Sequence, residues 1–340
     1  MNKALACAAW LGLSAVFNAT VVEGPAFAAD YTLKVSSPTN NDAILKWMEG
    51  FKTRVEASTQ GQIEVQLYPA NQLGQIPATV EGVSMGTIEV TAPASGFFVQ
   101  YDKRFEALDV PGLFSDMAHA QRVLSDPEVL DRLEEYGADQ GLHTLAAFPH
   151  GPLGIVSVKT VDTAAALEGQ RIRVAGPSAL STGPFKELGA SPISMPLGEV
   201  LPAIQNGVVD GTIAGLPVFT IFHYYDVAKD LTVLPESYLI VTAVASQYFL
   251  DALGEDLSGK VKTAAREALS DANSWNLKAV EGVQGTWKEN GGTIFNLSVA
   301  DKAAYLKAVA DTLPTAYSQN PALEEEVEFL KSAAARVAGE

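Results

Sequence analysis

The chain has 340 residues, of which 47% are apolar and 19% are charged, and this composition is typical of a folded protein with an ample core. Its formal net charge is −17, from 40 acidic and 23 basic side chains, so its surface would repel a phosphate backbone or an anionic membrane. Nucleic acid is therefore not expected as a partner.

Residues 1–28 have the pattern of a secretory signal peptide. Lys3 supplies a positive charge, a mostly apolar run follows, and the A-F-A sequence at 26–28 is typical of a cleavage site. We therefore expect export to the periplasm and cleavage near Ala28. An uncleaved N-terminal anchor is the less favoured alternative, because polar and proline residues interrupt the apolar run.

The rest of the chain contains no run of the roughly 18 uncharged apolar residues that a spanning helix needs, so we expect no direct membrane insertion. The only cysteine, Cys7, lies in the signal, which excludes disulfides and thiolate metal sites from the mature chain. The histidines have no spacing typical of a zinc site; they are His119, His143, His150 and His223. We expect neither a metal nor a cofactor.

The first elements predict a parallel sheet. Residues 31–36 alternate as a strand, residues 44–55 have apolar side chains at helical spacing, and residues 63–67 alternate again. A strand, a helix and a strand within about forty residues form a βαβ unit. Ligands of such sheets bind at the carboxyl ends of the strands, where the loops lie.

An enzymatic motif, G-x-S-x-G, occurs at residues 82–86 with Ser84 at its centre. A nucleophile elbow needs a strand before the serine and a helix after it. Here residues 77–85 have a helical pattern and the predicted strand, 87–91, follows. We interpret Gly86 as the end of a helix, and a secreted serine hydrolase is the less favoured alternative.

The second half of the chain predicts further strands and one very long helix. Residues 142–148 and 239–245 are strand-like, and residues 257–289 keep a helical pattern without proline. Such a helix would be about 50 Å long, which exceeds one small lobe. A short strand is expected at 293–297, followed by a C-terminal helical segment with breaks at Pro314 and Pro321.

Two long signatures make the chain recognisable. The first, G-Q-I-E-V-Q-L-Y-P-A-N-Q-L-G, spans residues 61–74. The second begins with G-Q-R-I-R-V at 169–174, continues with L-G-A-S-P at 188–192 and M-P at 195–196, and ends with G-V-V-D-G at 207–211. Together they resemble the periplasmic substrate-binding proteins of TRAP transporters, of the DctP type.

The resemblance implies an α/β, two-lobe periplasmic-binding-protein fold, type II-like, with crossing hinge strands and a long spine helix. After the signal peptide, lobe I is expected to comprise residues 29–151 and 239–280, and lobe II residues 152–238 and 281–340, with the ligand cleft between them. The implied function is capture of an organic acid and its delivery to TRAP permease membrane subunits, without catalysis. A binding protein of an ABC importer or a sensor system is the alternative with the same fold.

Arg173 is the residue that the resemblance places on the ligand. A guanidinium presents a planar fork of donors that matches a carboxylate and stays charged at any working pH. An ion pair with an acidic neighbour is the alternative role of Arg173, and Arg171, two residues earlier on the same face of the strand, is the alternative candidate for the ligand contact. Arg173 is preferred because it immediately precedes the motif's valine.

Three positions depart from the family's sialic-acid binders. Leu153 stands where they have an arginine, Ala94 where they have a glutamate and Ala214 where they have an asparagine. An apolar pocket would leave sugar hydroxyls unpaired, which is costly, so we expect a ligand with an apolar or aromatic body. The other candidate ligand contacts, chosen for their position near these residues, are Ser95, Phe97, Phe148, His150 and Phe219.

Overall fold

The computed structural model describes residues 29–338, so the predicted signal peptide lies outside the described residues. Nine strands in this range form one mixed sheet. They are β1 (Tyr31–Ser36), β2 (Ile63–Tyr68), β3 (Val90–Thr91), β4 (Leu142–Ser157), β5 (Arg171–Val174), β6 (Ser191–Ser194), β7 (Gly211–Gly215), β8 (Asp230–Ser246) and β9 (Thr293–Asn296). Their order is β2-β1-β3-β8-β4-β7-β5-β6, and β9 pairs with β8.

Eleven α-helices in the described range cover the sheet. They are α1 (Ala43–Ser58), α2 (Ile76–Ser84), α3 (Met117–Leu124), α4 (Pro127–Glu134), α5 (Ala179–Glu187), α6 (Leu197–Gln205), α7 (Leu216–Ile221), α8 (Gln247–Glu267), α9 (Leu269–Glu289), α10 (Val299–Gln319) and α11 (Pro321–Val337). Among residues 29–338, none of them combines the length and the hydropathy needed to cross a bilayer.

The sheet has two parallel groups of strands, one at each end. At one end β1 pairs in parallel with β2 and β3, which confirms the predicted βαβ unit. At the other end β5 pairs in parallel with β6 and β7. The two groups are the sheets of two lobes, and the carboxyl ends of their strands carry the loops that form the site.

Two long antiparallel strands join the lobes. β8 pairs with β3 in the first lobe, β4 pairs with β7 in the second, and β4 and β8 pair with each other along most of their length. Their register shifts between Thr144 and Ala146, between Pro149 and Gly151, and between Pro152 and Gly154. The predicted crossing strands are confirmed, and they are longer than the apolar runs 142–148 and 239–245 because each continues into the second lobe.

The predicted spine is formed by α8 and α9, which adjoin at Ala268. The backbone of Ala268, with φ −66° and ψ −14°, stays in the helical region, so the two helices follow one another almost without interruption. α9 packs against α1 of the first lobe, against the crossing strand β4 and against α7 of the second lobe. The spine therefore contacts both lobes.

The C-terminal segment differs from its prediction at one proline. Pro314 lies inside α10, so the predicted break there is wrong; a proline removes one backbone donor, and the extensive packing of α10 against α5 outweighs that loss. The second break is confirmed, because α11 begins at Pro321. α11 packs against α3 and against the 3-10 helix Lys103–Asp109, both in the first lobe.

Candidate functional site

A cavity lies where the loops after β1 and β3 meet the ends of β5 and β7 and the middle of the crossing strands. It contains about 430 Å³ of unfilled space, its opening included. The lining residues are mostly apolar: Pro38, Thr39, Ile44, Ile76, Ala94, Phe97, His150, Arg173, Ala175, Leu197, Ile213, Ala214, Val218, Leu239 and Val241. Its composition is that of a site for a small molecule with few polar contacts.

Arg173 is the cation of this cavity. Its side chain is 2% exposed, and β5 carries it to the cavity wall. Its Nε donates to the Met195 carbonyl at 2.9 Å and its Nη1 to the Ile213 carbonyl at 3.4 Å. Two of the five guanidinium N–H groups are thus used, and the other three have no partner among residues 29–338. These two carbonyls orient the fork without neutralising its charge.

Burial is expensive for this charge, and it lowers the pKa of Arg173 to about 10, against a smaller opposing effect of Tyr224. Since 10 lies well above neutral pH, the guanidinium remains protonated. Within the described part of the chain, no carboxylate forms a salt bridge with it. A buried arginine that keeps its charge and has no acidic partner is unfavourable, unless a bound anion neutralises it.

Arg171 has the role that was the alternative for Arg173. Its Nε and Nη2 donate to the two oxygens of the Asp210 carboxylate, both at 3.0 Å, and its Nη1 donates to the Gly207 carbonyl at 2.8 Å. The side chain is 43% exposed. Of the two arginines of β5, Arg171 therefore forms an ion pair at the surface, and Arg173 lies in the cavity wall.

His150 borders the same cavity and is held by Asp42, and both side chains are buried. Its Nε2 lies 2.9 Å from Asp42 Oδ2. Asp42 is also the N-cap of α1 and accepts from the backbone N–H of Leu45 and from the hydroxyl of Thr39. An acceptor at Nε2 favours the tautomer with the proton there. Nδ1 is buried without a partner among the described residues, so it is free to accept a hydrogen bond.

The three positions that depart from sialic-acid binders all line unfilled space. Ala94 and Ala214 line the cavity of Arg173, and Leu153 lines a second cavity that adjoins it. Leu153 lies near Ala214 because Gly154, the next residue after Leu153, is paired with Ala214 in the β4–β7 ladder. Ala94 lies beside them because it forms an isolated β-bridge with Val241 of β8. The small and apolar replacements are therefore clustered around Arg173.

The sequence candidates separate into two sets. Arg173, Phe97, His150 and Ala214 come together at the cavity. Three others do not line it. Phe148 stacks on Trp47 in the core of the first lobe, with ring centroids 6.3 Å apart. Phe219 packs edge-on against Tyr224 and Trp287.

The third candidate away from the cavity is Ser95. Its Oγ donates to the Ile240 carbonyl at 3.0 Å and shares a 2.7 Å hydrogen bond with Thr242 Oγ1. This buried hydroxyl fastens the loop after β3 to β8 and so positions its neighbour Phe97.

Several cavity residues were missed by the sequence argument. Thr39 follows β1, Leu197 begins α6, and Leu239 and Val241 lie in β8. The position of Thr39 after the first strand was the one usable signal, since ligands bind at the carboxyl ends of parallel strands. The apolar residues have no distinguishing pattern.

Ser84, the centre of the G-x-S-x-G motif, lies at the last position of α2. Its Oγ donates to the Gln140 carbonyl at 2.7 Å, and it does not line the cavity. The helix precedes the serine, as predicted, which is the reverse of a nucleophile elbow.

Comparisons with known proteins agree with this architecture. The model of the DctP family, bacterial extracellular solute-binding protein family 7, matches residues 35–320. The 2,3-diketo-L-gulonate-binding periplasmic protein YiaO of Escherichia coli is 30% identical over 219 residues, 64% of this chain and 66% of YiaO, just under two thirds. The C4-dicarboxylate-binding periplasmic protein DctP of Rhodobacter capsulatus is 28% identical over 290 residues, 83% of this chain and 85% of that protein.

Two solved structures extend the comparison. A TRAP periplasmic solute binding protein from Sulfurospirillum deleyianum with bound succinate superposes with a TM-score of 0.80 at 27% identity, covering 90% of this chain and 99% of that one. One from Desulfovibrio salexigens with bound orotic acid has a TM-score of 0.81 at 25% identity, again covering 90% and 99%.

Proposed function

The chain belongs to the DctP family, the periplasmic solute-binding proteins of TRAP transporters, and from that premise we propose that it binds an organic acid through Arg173 and delivers it to TRAP permease membrane subunits. The family is one of solute receptors rather than enzymes, in agreement with the expectation that the chain catalyses nothing. The proposed ligand class is consistent with the bound succinate and orotic acid of the two similar structures.

One observation carries the proposal: Arg173 is buried at the cavity wall with three N–H groups unused and no acidic partner among the described residues. A carboxylate would satisfy that fork in a bidentate manner. Such a charge-assisted contact contributes about 1.5–3 kcal/mol net. The carbonyls of Met195 and Ile213 hold the guanidinium in place beforehand, so little side-chain entropy is lost on binding.

The other lining residues of the cavity determine which chemical groups the acid can have besides its carboxylate. Phe97, Ala94 and Ala214 offer apolar contact, and His150 Nδ1 offers one acceptor for a hydroxyl or N–H of the ligand. A Cβ on Gly215 would lie 3.1 Å from that nitrogen, so the glycine leaves room beside it. We infer a compact acid with an apolar body and few hydroxyl groups.

We propose that closure of the two lobes encloses the ligand, with lobe I at residues 29–151 and 239–280 and lobe II at 152–238 and 281–320. Contacts between elements of the two lobes support this. Glu106 of the first lobe accepts a hydrogen bond from the Leu180 N–H of the second at 2.8 Å. A Cβ on Gly198 would lie 2.8 Å from the Gln75 side chain.

The C-terminal helix is placed differently in this division than the sequence argument placed it. α11 packs against first-lobe elements while α10 packs against α5 of the second lobe. We therefore assign residues 321–338 to the side of lobe I, with the junction at Asn320 as a further crossing between the lobes. Closure would then bend the three segments that connect the lobes, which are the β4–β8 pair, the spine and this junction.

The test compares two arginines of one strand. A thermal-shift panel of monocarboxylates, dicarboxylates, 2-oxo acids, aromatic acids and amino acids first selects a ligand of the mature protein, because bound ligand stabilises by mass action. Calorimetry is then repeated with Arg173→Lys and with the matched control Arg171→Lys.

We expect the Arg173→Lys affinity to fall at least about tenfold, since an ammonium lacks the planar fork, and the control affinity to stay within about threefold. Equal affinity of Arg173→Lys and the wild type, or a panel in which no acid binds, would refute the carboxylate contact.

A further inference from the structure

A second cavity adjoins the one that contains Arg173, and its wall carries an unpaired carboxyl group. It contains about 620 Å³ of unfilled space, its opening included. Asp109, the last residue of the 3-10 helix Lys103–Asp109, lines it. Within residues 29–338 the Asp109 side chain forms no hydrogen bond and no salt bridge, although it is partly buried. A carboxylate in such a place is costly unless a partner arrives.

The two cavities adjoin each other. They share the lining residues Ala94, Ala175, Ile213 and Leu239. Arg173 lines one cavity and Asp109 the other, so the shared apolar residues lie between a cation and an acid. Taken together as one chamber, the two cavities thus have opposite charges at their two ends and apolar side chains between them.

The remaining polar groups of the second cavity are already paired. Ser181 Oγ donates to the Gly176 carbonyl at 2.5 Å, Tyr305 shares a 3.2 Å hydrogen bond with Ser237, and Tyr238 donates weakly to the Ser115 carbonyl at 3.4 Å. No lysine or arginine lines this part of the chamber. Asp109 is therefore the group that a ligand would meet there.

The surroundings of Asp109 favour an incoming cation. Burial, with a smaller contribution from the nearby Glu106, raises the pKa of Asp109 to about 8. Glu106 is itself buried and accepts the Leu180 N–H. Two acidic groups without a basic one make this end negative or proton-binding, whereas the Arg173 end is positive.

We propose that the solute is a zwitterion, with its carboxylate on Arg173 and a cationic nitrogen, an ammonium or amidinium group, on Asp109. This inference rests on the proposed function and adds the class of ligand. A second carboxylate at the far end would face Asp109 and Glu106, and an uncharged end would give Asp109 at most a neutral hydrogen bond. A positive end gives both poles of the chamber a charge-assisted contact.

The experiment uses three matched series of flexible acids with four to eight carbons: ω-amino acids, n-alkanoates that have a methyl group in place of the ammonium, and α,ω-dicarboxylates. Calorimetry of the mature protein measures all three series. We expect at least one ω-amino acid to bind about tenfold or more tightly than both counterparts of its length, the size of one charge-assisted contact. Equal or tighter binding of the counterparts would overturn the inference.

Two variants locate the preference. Asp109→Asn keeps the shape of the side chain and should reduce the preference for the ω-amino acid to about onefold. Asp139→Asn removes a carboxylate from an exposed position that lines neither cavity, and it should leave the preference unchanged. A preference that survives in Asp109→Asn would overturn the inference, as would one that Asp139→Asn abolishes equally.

The pH dependence of the wild type gives a readout that needs no variant. Proton loss from Asp109 should strengthen the preference as pH rises from 6 to 8.5. The groups around it are Glu106, Tyr238 and Tyr305; burial raises the pKa of both tyrosines, that of Tyr305 to about 12, so neither titrates in this window. A preference that stays constant with pH would contradict the role of Asp109.

The inference and the proposed function fail in different ways. Alkanoates that bind and need Arg173, with no preference for an ammonium, would leave the proposed function intact and refute the zwitterion. If none of the three series binds, the zwitterion is refuted, whereas the proposed function fails only if none of the acids in the thermal-shift panel binds either.

Discussion

Gly176 and Gly96 approach each other so closely across the cleft that a Cβ on Gly176 would lie 2.6 Å from the Gly96 carbonyl oxygen. Real Cβ atoms do not approach a backbone oxygen to that distance. Because both partners are backbone, the contact can be relieved only by moving the lobes apart. The turn after β5 therefore needs glycine for the lobes to meet as they do here.

We predict that Gly176→Ala holds the cleft partly open. Since the carboxylate would then be less completely enclosed, its affinity should fall about tenfold or more, while the free energy of unfolding of the ligand-free protein should change by less than about 1 kcal/mol. Calorimetry and urea unfolding measure the two quantities, and the radius of gyration of the ligand-bound variant from X-ray scattering should exceed that of the wild type.

The matched control is Gly282→Ala in α9, where an added Cβ meets nothing within 4 Å. It should bind normally and stabilise the fold by about 0.5–1 kcal/mol, because alanine favours a helix more than glycine does. Equal ligand affinity of Gly176→Ala and this control would contradict the steric argument.

Glu326 attaches α11 to the first lobe. The side chain is 1% exposed and accepts hydrogen bonds from Arg132 Nε at 3.0 Å and from the Tyr136 hydroxyl at 2.8 Å. In Glu326→Gln an amide would point donors at donors, so we predict a loss of about 2 kcal/mol in the free energy of unfolding. The exposed Glu324→Gln, two residues earlier and about half a helical turn away, should change it by less than about 0.5 kcal/mol. The urea concentrations at the unfolding midpoint measure both effects, and equal midpoints of Glu326→Gln and Glu324→Gln would exclude this anchoring role.

Asp109 should make the stability of the ligand-free protein depend on pH. Its pKa of about 8 in the fold exceeds that of an unfolded aspartate, so the unfolded chain gives up its proton first and the fold loses stability as pH rises from about 4 to 8. The expected loss due to this group is about 1–2 kcal/mol, less than full linkage because the carboxyl is partly exposed.

Asp109→Asn removes that titration. Relative to the wild type, it should become progressively more stable between pH 5 and pH 8 in chemical unfolding experiments without ligand. Asp139→Asn, at an exposed position, should keep a constant difference from the wild type. A stability difference for Asp109→Asn that does not change with pH would show that the carboxyl is not perturbed in the fold.

The sequence predicted the fold well because its signals are local and periodic. The alternation at 31–36 and 63–67 determined a βαβ unit, and the helical pattern at 257–289 determined the spine. The strand predicted at 87–91 is reduced to Val90–Thr91, the two residues that pair with β1 and with β8. Strand pairing is a tertiary property, so a local pattern cannot give its limits.

The site was predicted less completely. Arg171 and Arg173 share one face of a strand, so alternation could not separate them, and only the resemblance selected Arg173. Phe148 and Phe219 are close in sequence to cavity residues, but their rings pack in the hydrophobic core against Trp47 and Trp287. The direction of a ring depends on packing partners far along the chain, which a local pattern does not reveal. Asp109 was overlooked because nothing in the sequence distinguishes it from the other acidic residues.

His150 lies in β4 between the register shift at Thr144 and Ala146 and the one at Pro152 and Gly154. Prolines on both sides of it, Pro149 and Pro152, withhold backbone donors from the ladder, so this stretch bends with fewer broken bonds than a regular strand would. The irregular stretch of the crossing and one wall of the cavity are thus the same few residues. Under the proposed closure, a solute that touches His150 would act directly on the joint between the lobes, without any intervening relay.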